Sequence, residues 1–161
     1  PEIAAAIRAL ANRPDVLIAL PLHPNPSIRK PLERALRDRA NVMLLEPLEF
    51  APFVSLLSNA YFVLTDSGGV QEEAPVLGTP VLVMRDKTER PEAIAAGTTR
   101  LVGTRAQRIV AEACLLLDNP AARARMARAH SPYGDGRAAE RIADIIARAH
   151  GYRAEPLASA E

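Results

Sequence analysis

The sequence predicts a doubly wound α/β fold, with helices covering both faces of a parallel sheet. Three observations lead there. Apolar runs of strand length alternate with segments of helical periodicity along the chain. The strand candidates, such as "DVLIALPL" and "PVLVM", are apolar at every position rather than every second one, so both of their faces are buried. The 161 residues contain no internal repeat or low-complexity tract, and their length suits one domain.

The elements follow in order. Ile3, Ile7 and Leu10 recur at helical spacing and predict a helix over about 2–12. That pattern opens mid-period at Pro1 without a start residue, so the chain is expected to continue a longer one upstream. "DVLIALPL" is the first strand. "PSIRKPLERALRD" is a helix with Ile28, Leu32 and Leu36 on one face and Pro31 placed in its first turn, where proline is tolerated. "NVMLLEP", "YFVLT", "PVLVM" and "TRLVG" are the remaining strands. Between them lie the helices "EFAPFVSLLSNA", "GVQEEAPVLG" and "RPEAIAAG". Gly78 and Pro80 stop the second of these, and Pro75 inside it predicts a kink or a break. Three further helices, "RAQRIVAEACLLLD", "PAARARMARA" and "GRAAERIADIIARAH", complete the chain, with a loose tail after Gly151.

Composition excludes several classes. Hydrophobic residues make up 48%, too many for a disordered chain. A net charge of +1 gives no electrostatic footprint for nucleic acid or an anionic membrane. The single cysteine, Cys114, rules out a disulfide framework, and within "EACLLLD" it reads as a core residue. His23, His130 and His150 lack metal-site spacing, so no metal is expected. No apolar run approaches membrane-spanning length and no signal peptide is visible, so a cytoplasmic protein is expected.

The candidate site is "TDSGGVQEEAP", residues 65–75, where an apolar strand runs into two glycines and a helix. In open α/β sheets ligands bind beyond the carboxyl ends of the strands. A helix start offers unpaired N–H groups and a positive dipole end, so Gly68 and Gly69 can admit a phosphate close to the backbone while Ser67 adds a hydroxyl. The alternative is a tight turn capped by Asp66 or Ser67. Glu72 and Glu73 either complement the helix dipole or accept ribose hydroxyls one helical turn from the phosphates. Phe53 follows the second strand and either stacks on a base or opens the core face of its helix. Arg90, after the fourth strand, could clamp a phosphate or sugar hydroxyl. His23 closes the first strand and either faces a ligand or bonds its own turn.

Together, "LTDSGGVQEEAPVLGTPVLVMRDKTERPEA", "AGTTRLVG" and "SPYGDGRAAERI", with "LPLHPNPSIRKPL" and "EPLEFAPFV", closely resemble the non-hydrolysing UDP-N-acetylglucosamine 2-epimerases. The resemblance runs from the first strand to about residue 150. It implies the C-terminal half of a two-domain glycosyltransferase-B fold, Rossmann-like and lacking its first strand. It implies that Phe53 stacks on uracil and the backbone at Leu48 meets the base edge. Ser67, Gly68 and Gly69 would hold the diphosphate, Glu73 the ribose, and Arg90 would help fix the ligand; His23 is a possible further contact to substrate or effector. The implied ligands are UDP-N-acetylglucosamine and UDP, without cofactor, in a homodimer that binds neither nucleic acid nor membrane and serves cell-surface polysaccharide synthesis.

The implied chemistry inverts C2 of the sugar by elimination of UDP and its re-addition. The family's acid and base carboxylates lie on the other domain, so this chain alone is expected to be inactive. Its five strands would be the second to sixth of a 3-2-1-4-5-6 sheet, leaving a gap at the central position. Unpaired strand edges there would make the isolated chain marginal or aggregation-prone. The alternatives are a glycosyltransferase of the same fold, a hydrolysing 2-epimerase, and a non-catalytic module that binds nucleotide sugars.

Overall fold

The computed structural model describes residues 2–128 and 132–151. His130 and the tail after Gly151 lie outside the described residues. The strands are β1 (Ile18–Pro21), β2 (Val42–Leu45), β3 (Val63–Thr65), β4 (Val81–Val83) and β5 (Thr99–Leu101). The helices are α1 (Glu2–Leu10), α2 (Pro26–Leu36), α3 (Phe50–Asn59), α4 (Gly68–Val76), α5 (Pro91–Ala95), α6 (Ala106–Asp118), α7 (Pro120–Arg128) and α8 (Ala138–Ala149). Each expected element is present, and each strand is shorter than its apolar run.

Every strand pair is parallel, as the continuous apolar runs require. The clearest case is "PVLVM". Val81 and Val83 of β4 point to one face and pack with Leu57 of α3 and with Val70 and Ala74 of α4. Leu82 and Met84 point to the other and pack with α1, α6 and α7 through Ala6, Leu10, Ile109, Ala113, Leu116 and Met126. Side chains alternate along a strand, so helices on both sides turn a period of two into an unbroken apolar run. Within α6, Ile109, Ala113 and Leu116 fall at i, i+4 and i+7 and supply one buried stripe. Cys114 packs partly buried against the same cluster, as expected of a core residue.

The strands form two sheets, β1-β2 and β3-β4-β5. Among the described residues β1 bonds to β2 alone, with Ile18 opposite Val42, and β3 bonds to β4 alone, with Val63 opposite Val81. The interruption falls where the sequence places a gap. Ile18 of β1 and Phe62 and Leu64 beside β3 all pack against the cluster beneath α1 and α6. α1 joins the two halves by packing on both α2 and α6. Arg8 adds a bidentate pair with Asp38 beyond α2, at 2.8 and 2.9 Å. Hydrogen bonding and charge from Arg8 hold the Asp38 carboxyl below the usual carboxylate range.

Two expectations about proline change. Pro31 lies at the sixth residue of α2, inside the helix rather than in its first turn. The start is fixed upstream: Pro26 takes the first helical position, and the Asn25 side chain accepts from the Ser27 N–H at 2.9 Å. Pro31 therefore removes one backbone hydrogen bond from the helix interior. Pro75 does not break α4. It sits in the last turn, and the helix ends one residue later at Val76. The Gly78 and Thr79 N–H groups then bond back to Pro75 and Ala74, at 3.0 Å each.

Leu82 is fully buried at the centre of this arrangement. Leu82→Ala is expected to lower stability by about 2–5 kcal/mol. Urea denaturation of the full-length protein carrying this chain would read this as a lower midpoint at unchanged m-value.

Candidate functional site

The carboxyl ends of β3 and β4 open on a single edge, and the turn from β3 into α4 lies there. Thr65 ends β3 almost fully buried, and its hydroxyl accepts from the Ser67 N–H at 3.0 Å. This bond turns the chain out of the sheet. Ser67 is the residue before the helix, with φ −78° and ψ 137°, yet its hydroxyl caps no helical N–H. No acidic residue occupies the first turn. The Ser67 hydroxyl and the positive end of α4 therefore face outward.

The glycines are the most telling feature. Neither Gly68 nor Gly69 has a positive φ. A Cβ at Gly68 would meet nothing within 4 Å, and one at Gly69 would meet only Glu73 Oε1 at 3.8 Å. Neither the backbone conformation nor internal packing requires glycine here. The tight-turn alternative therefore loses its basis, and so does capping by Ser67. Glycine at a helix start whose fold would accept alanine leaves open space beside backbone amides.

Glu72 and Glu73 divide. Glu72 pairs with Arg90 Nε through a short contact. Hydrogen bonding to Glu72, then its charge, raises the Arg90 guanidinium above its ordinary range, so it stays cationic. Glu73 is half-buried and enters no ion pair among the described residues. Its carboxylate lies beside Gly69, available as an acceptor. Arg90 is the residue before α5, so its pairing with Glu72 joins the start of α5 to the middle of α4.

Leu48 is 36% exposed in the connection from β2 to α3. Phe53 is half-buried on α3 and packs against the cluster of Leu57 and Val70, beside the start of α4. It thus belongs to the helix's core face while keeping part of its ring accessible. His23 is exposed beyond β1, and its Nδ1 accepts from the Asn25 N–H at 3.0 Å, the turn bond anticipated as one alternative. Its other nitrogen has no partner among the described residues.

Three residues of this edge escaped the sequence reading. Gln71 is fully buried on α4 and Thr88 half-buried in the β4–α5 connection, and the two share a 2.6 Å hydrogen bond. Tyr133 lies within the electrostatic reach of Glu92, Glu72 and Arg90. Burial, then the two carboxylates, pushes its phenol upward, with Arg90 opposing. The Tyr133 hydroxyl is buried without a hydrogen-bond partner among the described residues. A tyrosine before "GDG" was visible in the sequence; its approach to residues some 40–60 positions earlier was not. A hollow of about 420 Å³ beside β5, lined by Ile94, Thr99 and Met126, lies away from this edge.

Comparison with known proteins identifies the family. The family model described as UDP-N-acetylglucosamine 2-epimerase matches residues 1–147. The chain belongs to this family. It is 54% identical over 146 residues to a probable UDP-N-acetylglucosamine 2-epimerase of Ralstonia nicotianae, covering 90% of this chain and 39% of that protein. The Escherichia coli K12 UDP-N-acetylglucosamine 2-epimerase is 53% identical over the same shares. A crystal structure of the Neisseria meningitidis enzyme bound to UDP-GlcNAc superposes with TM-score 0.82 at 46% identity, over 91% of this chain and 40% of that one. A Staphylococcus aureus MnaA structure with UDP gives TM-score 0.89 at 38% identity, over 99% and 44%. The epimerase-like chain thus spans about two fifths of the length of these relatives.

Among the described residues no group of three or more His, Cys, Asp or Glu is arranged to hold a metal. No helix among them is long and apolar enough to cross a membrane. The open glycine pair carries a stability prediction. Gly68→Ala should stabilise the full-length protein by about 0.4–1 kcal/mol, because alanine fits the backbone and restricts the unfolded chain. A loss of stability on chemical denaturation would show that glycine at 68 serves the fold.

Proposed function

We propose that this chain supplies the UDP-binding half of an isomerase that interconverts UDP-N-acetylglucosamine and UDP-N-acetylmannosamine. The observation that carries this reading is the start of α4, where two glycines that the fold does not need follow Ser67, whose hydroxyl caps no helical N–H. The family membership supports the ligand class, and relatives have been crystallised with UDP-GlcNAc and with UDP. On this reading the Ser67–Gly69 segment holds the diphosphate, Glu73 accepts from the ribose and Arg90 fixes the ligand. Phe53 offers its accessible ring to uracil, and the Leu48 backbone meets the base edge. His23, with one ring nitrogen free, is a further contact for substrate or effector.

The chemistry follows from where charge develops. As the sugar C1–O bond breaks, the diphosphate gains negative charge. Backbone N–H groups and a helix dipole already aimed at it stabilise that charge without reorganising. They also retain UDP until it adds back to the unsaturated sugar. The proton moved at C2 needs an acid and a base beyond the residues placed here, supplied by the remainder of a longer protein. That remainder also provides the strand between β1 and β3, whose facing edges are otherwise unpaired. A cytoplasmic homodimer serving cell-surface polysaccharide synthesis fits this chemistry.

Isothermal titration of UDP into the full-length protein tests the site. Gly68→Leu should weaken binding by about tenfold or more, since a side chain would stand where the phosphate approaches the amides. Undiminished affinity would place the anion elsewhere. The 161-residue chain by itself should show no turnover of UDP-N-acetylglucosamine and no sharp melting transition at high temperature. Either one, measured on purified monomer, would contradict the half-site reading. UDP-linked N-acetylmannosamine as the full-length protein's product separates the isomerase from a hydrolase, which releases the free sugar.

A further inference from the structure

Gln71 is fully buried inside α4, at a position where an apolar residue would fill the core without polar atoms to satisfy. Both ends of its amide are engaged. Nε2 donates to the Ser67 carbonyl at 3.1 Å. Oε1 accepts from the Thr88 hydroxyl at 2.6 Å. The partners fix this orientation, because a carbonyl only accepts and the amide oxygen cannot donate. The Thr88 oxygen in turn accepts the Arg90 N–H at 3.0 Å. Three consecutive hydrogen bonds therefore run from the residue before α4 to the residue before α5. The chain links two loops that are more than 15 residues apart in sequence and that share no strand.

We propose that Gln71 and Thr88 are positioning residues that lock the anion-binding turn at Ser67–Gly69 and the Arg90 loop into one rigid unit. This rests on the reading of that turn and Arg90 as the UDP site. Gln71 holds the Ser67 carbonyl in place, which keeps the following amides directed outward. Thr88 holds the Arg90 backbone, which aims the guanidinium across the start of α4 towards Glu72. Without the relay, the ion pairs left at the β4–α5 connection among the described residues would be Arg85–Glu89 within it and Arg90–Glu72 across to α4. Both are partly exposed and weakly ordering. A ligand that needs backbone amides and guanidinium together would then have to order the loop as it binds, and affinity would fall.

The test is a double-mutant cycle on UDP affinity in the full-length protein, using Thr88→Val, Arg90→Ala and the pair. Thr88 is half-buried in a connection, so its exchange spares the core; Thr88→Ser retains the hydroxyl and should bind as the parent does. Thr88→Val should weaken UDP about five- to tenfold in the parent and less than about twofold when Arg90 is already alanine. Equal losses in both backgrounds would mean a general structural effect and overturn the proposal. Unchanged affinity for Thr88→Val, with Arg90→Ala impaired, would overturn it while leaving the UDP site intact. No UDP binding by the parent, or no effect of Arg90→Ala, would instead overturn the underlying assignment of the site.

Discussion

The burial of β4 on both faces is the constraint from which the arrangement follows. Val81 and Val83 need one helical layer, and Leu82 and Met84 need another. Supplying both layers forces parallel strands with helical crossovers, because only crossovers return the chain to the same edge of the sheet. The ends of β3 and β4 then open side by side. A helix start and an arginine-bearing connection become neighbours for reasons of core packing, before any ligand is considered. The buried apolar surface thus places the polar edge.

What that edge can do depends on groups left unengaged. Asp66 is exposed, and the first turn of α4 contains no acid to quench its dipole. Ser67 spends its backbone N–H on Thr65 and its carbonyl on Gln71, and keeps its hydroxyl. Glu72 is occupied by Arg90 while Glu73 has no ion partner among the described residues. The proposed anion site and the Glu73 acceptor one turn away are thereby separated, an arrangement in which a phosphate and a carboxylate could serve the same ligand without facing each other. Tyr133 adds a buried hydroxyl near the same charges, brought in by the segment that precedes α8.

The interruption between β1 and β3 has a different character. The two sheets share a core beneath α1 and α6, so packing is continuous where hydrogen bonding is not. Apolar contact is non-directional and spans the seam through Ile18, Phe62 and Leu64. Backbone pairing is directional and stops at each facing edge. A chain that spans two fifths of its relatives can therefore keep the arrangement of the Neisseria and Staphylococcus structures, with TM-scores of 0.82 and 0.89, while the described strands stay in two separate sheets.

The amino-acid sequence alone determined the alternation of strands and helices and the parallel sheet, and it pointed to the candidate site at "TDSGGVQEEAP". Each is local, written in runs of apolar residues and in glycine and proline at fixed offsets. Tertiary structure decided what depends on partners distant in sequence. That Glu72 and not Glu73 pairs with Arg90 follows from how α5 approaches α4. That Phe53 is both core and accessible follows from how α3 packs against α4 near Val70. Gln71 looked like one more polar residue of a helix, because its partner Thr88 lies on the far side of β4. Pro31 was misplaced for the same reason: helix boundaries answer to caps and to packing, which propensity at a single position does not contain.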